Sequence, residues 1–156
     1  MMAGIRGRDT KPELLIRKGL HAKGVRYRLH AKELPGRPDL YLPRFNAVIL
    51  VHGCFWHGHD CRYFKVPKTR PEFWLGKIDS NRSRDVRTQQ ALQDSGLRIL
   101  VIWECAIRLA LSAGCMDKLV GEAHRWLFSE LKIKEINEKD VGLICSQTES
   151  VIISKV

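Results

Sequence analysis

Ten consecutive residues, HGCFWHGHDC at positions 52–61, hold three of the chain's six histidines and two of its five cysteines around a Phe55-Trp56 pair. Cys54, His59 and Cys61 have the spacing C-x4-H-x-C, close enough for one loop to wrap an ion. Thiolate and imidazole together suit zinc, which takes four ligands in a tetrahedron at structural sites. Cys105, in the WEC that ends a distant apolar segment, is the candidate fourth ligand and would pin the loop to a strand. Residue types alone also allow buried thiols and hydrogen-bonded histidines. If zinc takes those four, His52 and His57 are left for acid–base work. Asp39 follows a proline turn and precedes an apolar segment, so its carboxylate stands at a strand end. There it could hold Mg2+ against a phosphate while a histidine takes a proton from the attacking water. The competing reading makes Asp39 a turn cap and the histidines polar surface.

The flanking sequence must position these groups. Asp9-Thr10 before Lys11-Pro12-Glu13 predicts a helix start: a capping residue, proline in the first turn and an acid near the positive end of the dipole. Leu14, Leu15, Ile16 and Leu20 give it an apolar stripe, and Gly24 stops it. Val25, Tyr27 and Leu29 alternate with Arg26, Arg28 and His30, the period of a strand with a basic wet face. Residues 39–42 and 47–51 predict a hairpin, with Asp39 at the start of one arm and His52 at the end of the other. Residues 52–71 read as loop. Residues 72–95 read as helix, which Asp79-Ser80-Asn81 could break in two. Residues 97–103 read as a buried strand, and 106–111 and 116–131 as helices. The order predicts an α/β domain over residues 1–131, a sheet with helices on its faces. Beyond Lys132 the pattern weakens, leaving 132–156 as a tail of uncertain structure in which 151–153 could be an edge strand.

Lysine and arginine number 27 against 17 acids, a net charge of +10, spread through ordered-looking sequence without a long basic block. A folded domain this basic points to nucleic acid as partner. No apolar run has the length of a membrane helix, and the start of the chain lacks a signal-peptide pattern, so a cytoplasmic location is expected. Five cysteines without a secretory signal argue against a disulfide framework. Cys115 and Cys145 read as buried thiols without companions.

The segments RDTKPE at 8–13, LPGRPD at 34–39, VHGCFWHGHDC at 51–61, FKVPKTRPEFWLGKI at 64–78 and VIWEC at 101–105 occur in order over most of the first 110 residues. Together they resemble the very-short-patch repair (Vsr) endonucleases of bacteria, relatives of the PD-(D/E)xK restriction enzymes. The resemblance implies a restriction-endonuclease-like fold, a central mixed β-sheet flanked by helices with a structural zinc site. It implies nicking of one DNA strand 5′ to the thymine of a T·G mismatch left by deamination of 5-methylcytosine. Asp39 matches the essential Mg2+-binding acid, aided by the Val51 backbone carbonyl where some relatives carry threonine. His57 matches the catalytic histidine, His52 and Glu13 supporting positions, and Asp85 an acid beside the catalytic histidine. The zinc ligands match Cys54, His59, Cys61 and Cys105, the four that spacing suggested.

Phe55, Trp56 and Trp74 match aromatics that wedge beside the mismatch. Lys77 and Asn81 match positions that approach the bases, and Met2 is the candidate minor-groove contact. Arg6, Arg8, Arg26, Arg28, Arg82, Arg84 and Arg87 are candidate phosphate contacts. A monomer is expected, with mismatch-repair proteins as candidate partners. The competing readings are a related nuclease tied to restriction–modification and a non-catalytic zinc DNA-binding module.

Overall fold

The computed structural model describes residues 9–146. Its elements in chain order are α1 (Lys11–Ala22), β1 (Arg28–Leu29), β2 (Leu40–Leu42), a 3-10 turn (Pro43–Phe45), β3 (Ala47–His52), α2 (Pro71–Asp94) and β4 (Arg98–Trp103). After these come α3 (Glu104–Ala113), α4 (Met116–Leu127), β5 (Ile133–Ile136) and α5 (Glu138–Ser146). The five strands form one sheet in sequence order; β1, β2 and β3 pair antiparallel, and β3, β4 and β5 pair parallel. The α/β architecture, a mixed sheet with flanking helices, is therefore as the sequence order suggests.

The central strands β3 and β4 are buried on both faces, which explains why they read as unbroken apolar runs. Side chains alternate along β4. Leu100 and Ile102 pack with Ile16, Leu20, Leu119 and Trp126 from α1 and α4, while Ile99, Val101 and Trp103 pack with Leu92 of α2 and with Cys54 and Cys105. α1 begins as expected: the Thr10 hydroxyl accepts from the Glu13 amide at 3.4 Å, with proline in the first turn. Among the described residues no helix is long and apolar enough to cross a membrane.

Four expectations need correction. Only Arg28 and Leu29 of the alternating 25–29 segment pair with β2, and Leu29 is exposed. The Val25 amide instead bonds the Leu20 carbonyl and closes α1. Asp79-Ser80-Asn81 does not break α2, which runs 24 residues without interruption. Asn81 directs its side-chain amide to the Trp56 carbonyl (3.0 Å) instead of to its own helix backbone, removing the usual competition. α4 ends at Leu127, four residues before the expected end, and residues 133–146 form β5 and α5, with β5 extending the parallel ladder. Finally, Cys115 and Cys145 do have a companion: they are joined to each other by a disulfide between the head of α4 and α5, with Cα atoms 5.7 Å apart. The pairing depends on α5, for which the sequence gives little periodic signal. Met2, Arg6, Arg8 and the 151–153 segment lie outside the described residues.

Arg98 explains the early stop of α4. Its guanidinium donates to the carbonyls of Trp126 (2.8 Å), Leu127 (3.1 Å), Ser129 (2.9 Å), Phe45 (3.4 Å) and Leu131 (3.4 Å), and it lies 4.4 Å from the Trp126 ring centre. A cation at a helix C-terminus satisfies carbonyls that the helix cannot. Arg98→Ala should destabilise the fold by about 3 kcal/mol in urea unfolding, since hydrogen bonds to a charged group contribute more than neutral ones. Arg98→Lys, with three donors and no planar fork, should recover less than half of that loss.

Candidate active site and metal centre

The candidate site side chains gather at the C-terminal end of the β3–β4 pair, where His52 lies in register with Trp103. A cleft of about 1310 Å³ opens there, lined by Glu13, His30, Asp39, Val51, His52, His57 and Asp85 among others. Asp39, just ahead of β2, is joined across the hairpin to β3, where its Oδ2 accepts the Val51 amide at 2.7 Å. Glu13, only 3% exposed, comes from the first turn of α1, and its charge acts on the neighbouring Asp39. Burial first, and then the neighbouring Glu13 charge, push the Asp39 carboxyl up to about 7. A carboxylate pair so enclosed is a ready seat for a cation.

His57 stands on the loop after β3, and its Nδ1 is hydrogen-bonded to Asp85 Oδ2 of α2. With Nδ1–H given to the carboxylate, Nε2 carries the lone pair that can accept a proton. The His52 ring stacks parallel to His57, centroids 3.9 Å apart. Burial, and then the proximity of His57, hold His52 down at about 3, so it stays neutral beside its neighbour. Its Nδ1 is buried with no hydrogen-bond partner among the described residues.

Cys54, His59, Cys61 and Cys105 converge behind this cleft, with ligand atoms all within 4.8 Å of one another. His59 Nδ1 lies 3.6 Å from Cys54 Sγ and 3.7 Å from Cys105 Sγ, and the Cys105 amide donates to Cys54 Sγ at 3.3 Å. The hydrogen bond between Cys54 and Cys105 pushes the Cys54 thiol up and the Cys105 thiol down to about 7. The four could hold one metal ion; loop spacing grouped the first three, and Cys105 was the candidate fourth because it ends an apolar strand.

Two glycines let the surrounding loops close. Gly58 (φ +60°) lies so near α2 that a Cβ would come within 2.6 Å of Ile78 Cγ2. Gly36 (φ +70°) leaves no room for a Cβ against Thr88.

Phe55, Trp56 and Trp74 form one partly exposed aromatic group, with centroids 5.1 Å, 5.7 Å and 6.0 Å apart. Lys77 is exposed on the same helix as Trp74, and Asn81 is spent on Trp56. Arg82, Arg84 and Arg87 are exposed along α2, Arg84 at the cleft; Arg26 and Arg28 are exposed near β1, Arg28 paired with Glu33. Sequence reading missed three residues that the structure brings in. Glu104 accepts the Cys54 amide at 3.3 Å, His30 reaches Glu13, and Trp103 stacks on His59 at 4.0 Å with its edge toward His52. The acid in WEC was the one available signal for Glu104; nothing in a motif marked His30.

Residues 1–63 match the family model described as DNA mismatch endonuclease Vsr. The chain is 40% identical to the DNA mismatch endonuclease Vsr of Escherichia coli K12, over 92% of this chain and 91% of that protein. The chain belongs to the Vsr family. It is also 47% identical to the type II nicking enzyme V.XorIIP of Xanthomonas oryzae over 69% of this chain and 79% of that one. A third relative, the type II nicking enzyme V.NmeAIP of Neisseria meningitidis, is 39% identical over 78% and 88% respectively.

Two of the shifted groups of this Vsr family member, Asp39 and His52, give its stability opposed pH dependences. Asp39 is raised from 3.8 to about 7, so its contribution is full below pH 4 and is lost as pH rises through 7. His52 is lowered from 6.5 to about 3, so its contribution is present above pH 6.5 and is lost as pH falls toward 3. In Mg2+-free urea unfolding, Asp39→Asn should gain roughly 2 kcal/mol over the native chain at pH 8. At pH 4 that gain should vanish.

Proposed function

We propose that this chain is a DNA endonuclease that hydrolyses one strand 5′ to the thymine of a T·G mismatch, the lesion left when 5-methylcytosine deaminates. Family membership supports the hydrolase and endonuclease level of this reading. What carries the chemistry is the facing of two pairs across one cleft, Asp39 with Glu13 and His57 with Asp85.

The carboxylate pair fits Mg2+: two hard oxygen donors, enclosed and like-charged, with Asp39 shifted up, favour a cation between them. Asp39 and the Val51 backbone carbonyl would hold the ion, with Glu13 in support. Bound there, Mg2+ would polarise the scissile phosphate. His57 Nε2 takes a proton from the attacking water as its oxygen bonds to phosphorus; the P–O bond to the neighbouring nucleotide breaks, and the departing sugar oxygen takes a proton from solvent. Asp85 fixes the imidazole's tautomer and stabilises the imidazolium that forms. Neutral His52, stacked on that ring, adds no like charge at that moment. Arg37 and Arg84 line the cleft where backbone phosphates would lie.

Phe55, Trp56 and Trp74 are the proposed wedge. Unstacking costs a few kcal/mol and least at a mismatch, so inserted rings select the damaged site by energy. Zinc on Cys54, His59, Cys61 and Cys105 is the proposed structural ion, in a restriction-endonuclease-like fold that takes in β5 and α5. The protein would act as a monomer in the bacterial cytoplasm, with mismatch-repair proteins as partners.

On a duplex with a single T·G mismatch, nicking should require Mg2+, and Asp39→Ala and His57→Ala should each lower the rate by about 10²–10⁴-fold. Nicking that survives in both variants overturns the roles assigned here. Equal cutting of mismatched and fully paired duplexes would favour a nuclease of other specificity, as the nicking-enzyme relatives allow. No cutting with any divalent metal would favour a binding module. Elemental analysis should find about one zinc per chain, as a single four-ligand site requires, and Cys105→Ala should lose it and fold poorly. A folded, fully loaded Cys105→Ala would place the fourth ligand elsewhere.

A further inference from the structure

His30 belongs to none of the motifs, yet its side chain meets the Glu13 carboxylate and its main chain meets that of Asp39. Its amide bonds the Asp39 carbonyl at 3.4 Å and its Nε2 lies 3.3 Å from Glu13 Oε2. The backbone is left-handed there (φ +47°), which turns the chain out of β1 and carries the imidazole toward α1. An ionised carboxylate only accepts, so this contact with Glu13 calls for the imidazole form with the proton on Nε2. The same Oε2 accepts the Asp9 amide at 3.0 Å, and Asp9 is held in turn by Arg17 at 2.8 Å. Asp9, Glu13 and His30 have the residue types of a metal site. With two donors on one Glu13 oxygen and a guanidinium on Asp9, they satisfy one another instead.

We propose that His30 is a positioning residue, fixing the rotation of the Glu13 carboxylate so that Glu13 and Asp39 present their oxygens to one divalent cation. The inference rests on the proposed reading of this cleft as a cation-dependent nuclease site, but it can be tested without cleavage. In electron paramagnetic resonance titrations of the free protein with Mn2+, His30→Ala should bind the ion about tenfold more weakly, the factor expected for one lost hydrogen bond to a charged group. His30→Gln keeps an N–H donor at that reach and should recover to within about threefold of the native chain. In nicking assays His30→Ala should raise the Mg2+ concentration for half-maximal rate by a similar factor and leave KM for duplex unchanged.

Native-like Mn2+ affinity in a folded His30→Ala overturns the proposal. So does a folded His30→Gln no better than His30→Ala, or a native chain that does not bind Mn2+. If the Mn2+ pattern holds while no variant, nor the native chain, nicks T·G duplex, the positioning role stands and the proposed specificity falls.

Discussion

The parallel ladder between β3 and β4 is the constraint from which the site follows. Six residue pairs run from Ala47–Arg98 to His52–Trp103, and the chain leaves the sheet in two directions from the last pair. One exit is the cysteine–histidine loop; the other is α3, whose first turn carries Glu104 and Cys105. The ladder therefore brings Cys54 and Cys105 together although 51 residues separate them. Because side chains alternate across a sheet, a slip of one residue would turn His52 and Trp103 to the opposite face and part the two halves of the site. The apolar runs AVILV and ILVI guard against that slip, since every residue of them has a packed place.

Trp103 divides the work at that end of the sheet. Its ring stacks on His59 at 4.0 Å, on the side of the metal-ligand set, and meets His52 and His57 edge-on at 5.1 Å and 6.0 Å. The ring keeps the two imidazole functions apart while fixing both. α2 supplies the other wall through one face: Ile78, Asn81, Arg82 and Asp85, at helical spacings of three and four, meet Gly58, the Trp56 carbonyl and His57. A break at 79–81 would have swung Asp85 away from His57. The unbroken helix is thus a condition of the proposed chemistry, and Gly58 is what lets the loop approach it.

How much of this was legible in the sequence depended on whether the chemistry was local. Cys54, His59 and Cys61 could be grouped because one short loop must carry them, and Cys105 because it ends an apolar strand. Strands β3 and β4 were legible because burial on both faces leaves an uninterrupted apolar run. β5 was not: its exposed Ile133 and its Lys134 and Glu135 mark an edge strand whose pattern is set by its neighbour. α5 is only nine residues long, too short for periodicity to declare it, and the Cys115–Cys145 pairing was hidden with it. His30 was read as one basic residue of a wet strand face. Its role depends on a left-handed turn, which the side chain does not announce.

The weakly patterned C-terminal segment nevertheless reaches the site. Glu138, at the head of α5, accepts the Arg62 amide at 3.2 Å and its Nε at 2.8 Å, one residue beyond Cys61. Near the other end of α5, Cys145 is tied to Cys115, and its carbonyl accepts from Lys118 at 3.0 Å. Magnitude decides what this brace can do. The Arg62 side chain is 61% exposed, and such ion pairs contribute less than about 1 kcal/mol. It can orient the far edge of the loop but cannot by itself hold ten residues against their conformational entropy, roughly 1–2 kcal/mol per residue. Buried Cys54 and Cys105, the stacked Trp103 and the close approach of Gly58 to α2 must supply most of that. A metal ion on the four converging ligands would add far more, which is a physical reason for ligands and the proposed wedge aromatics to share one short segment.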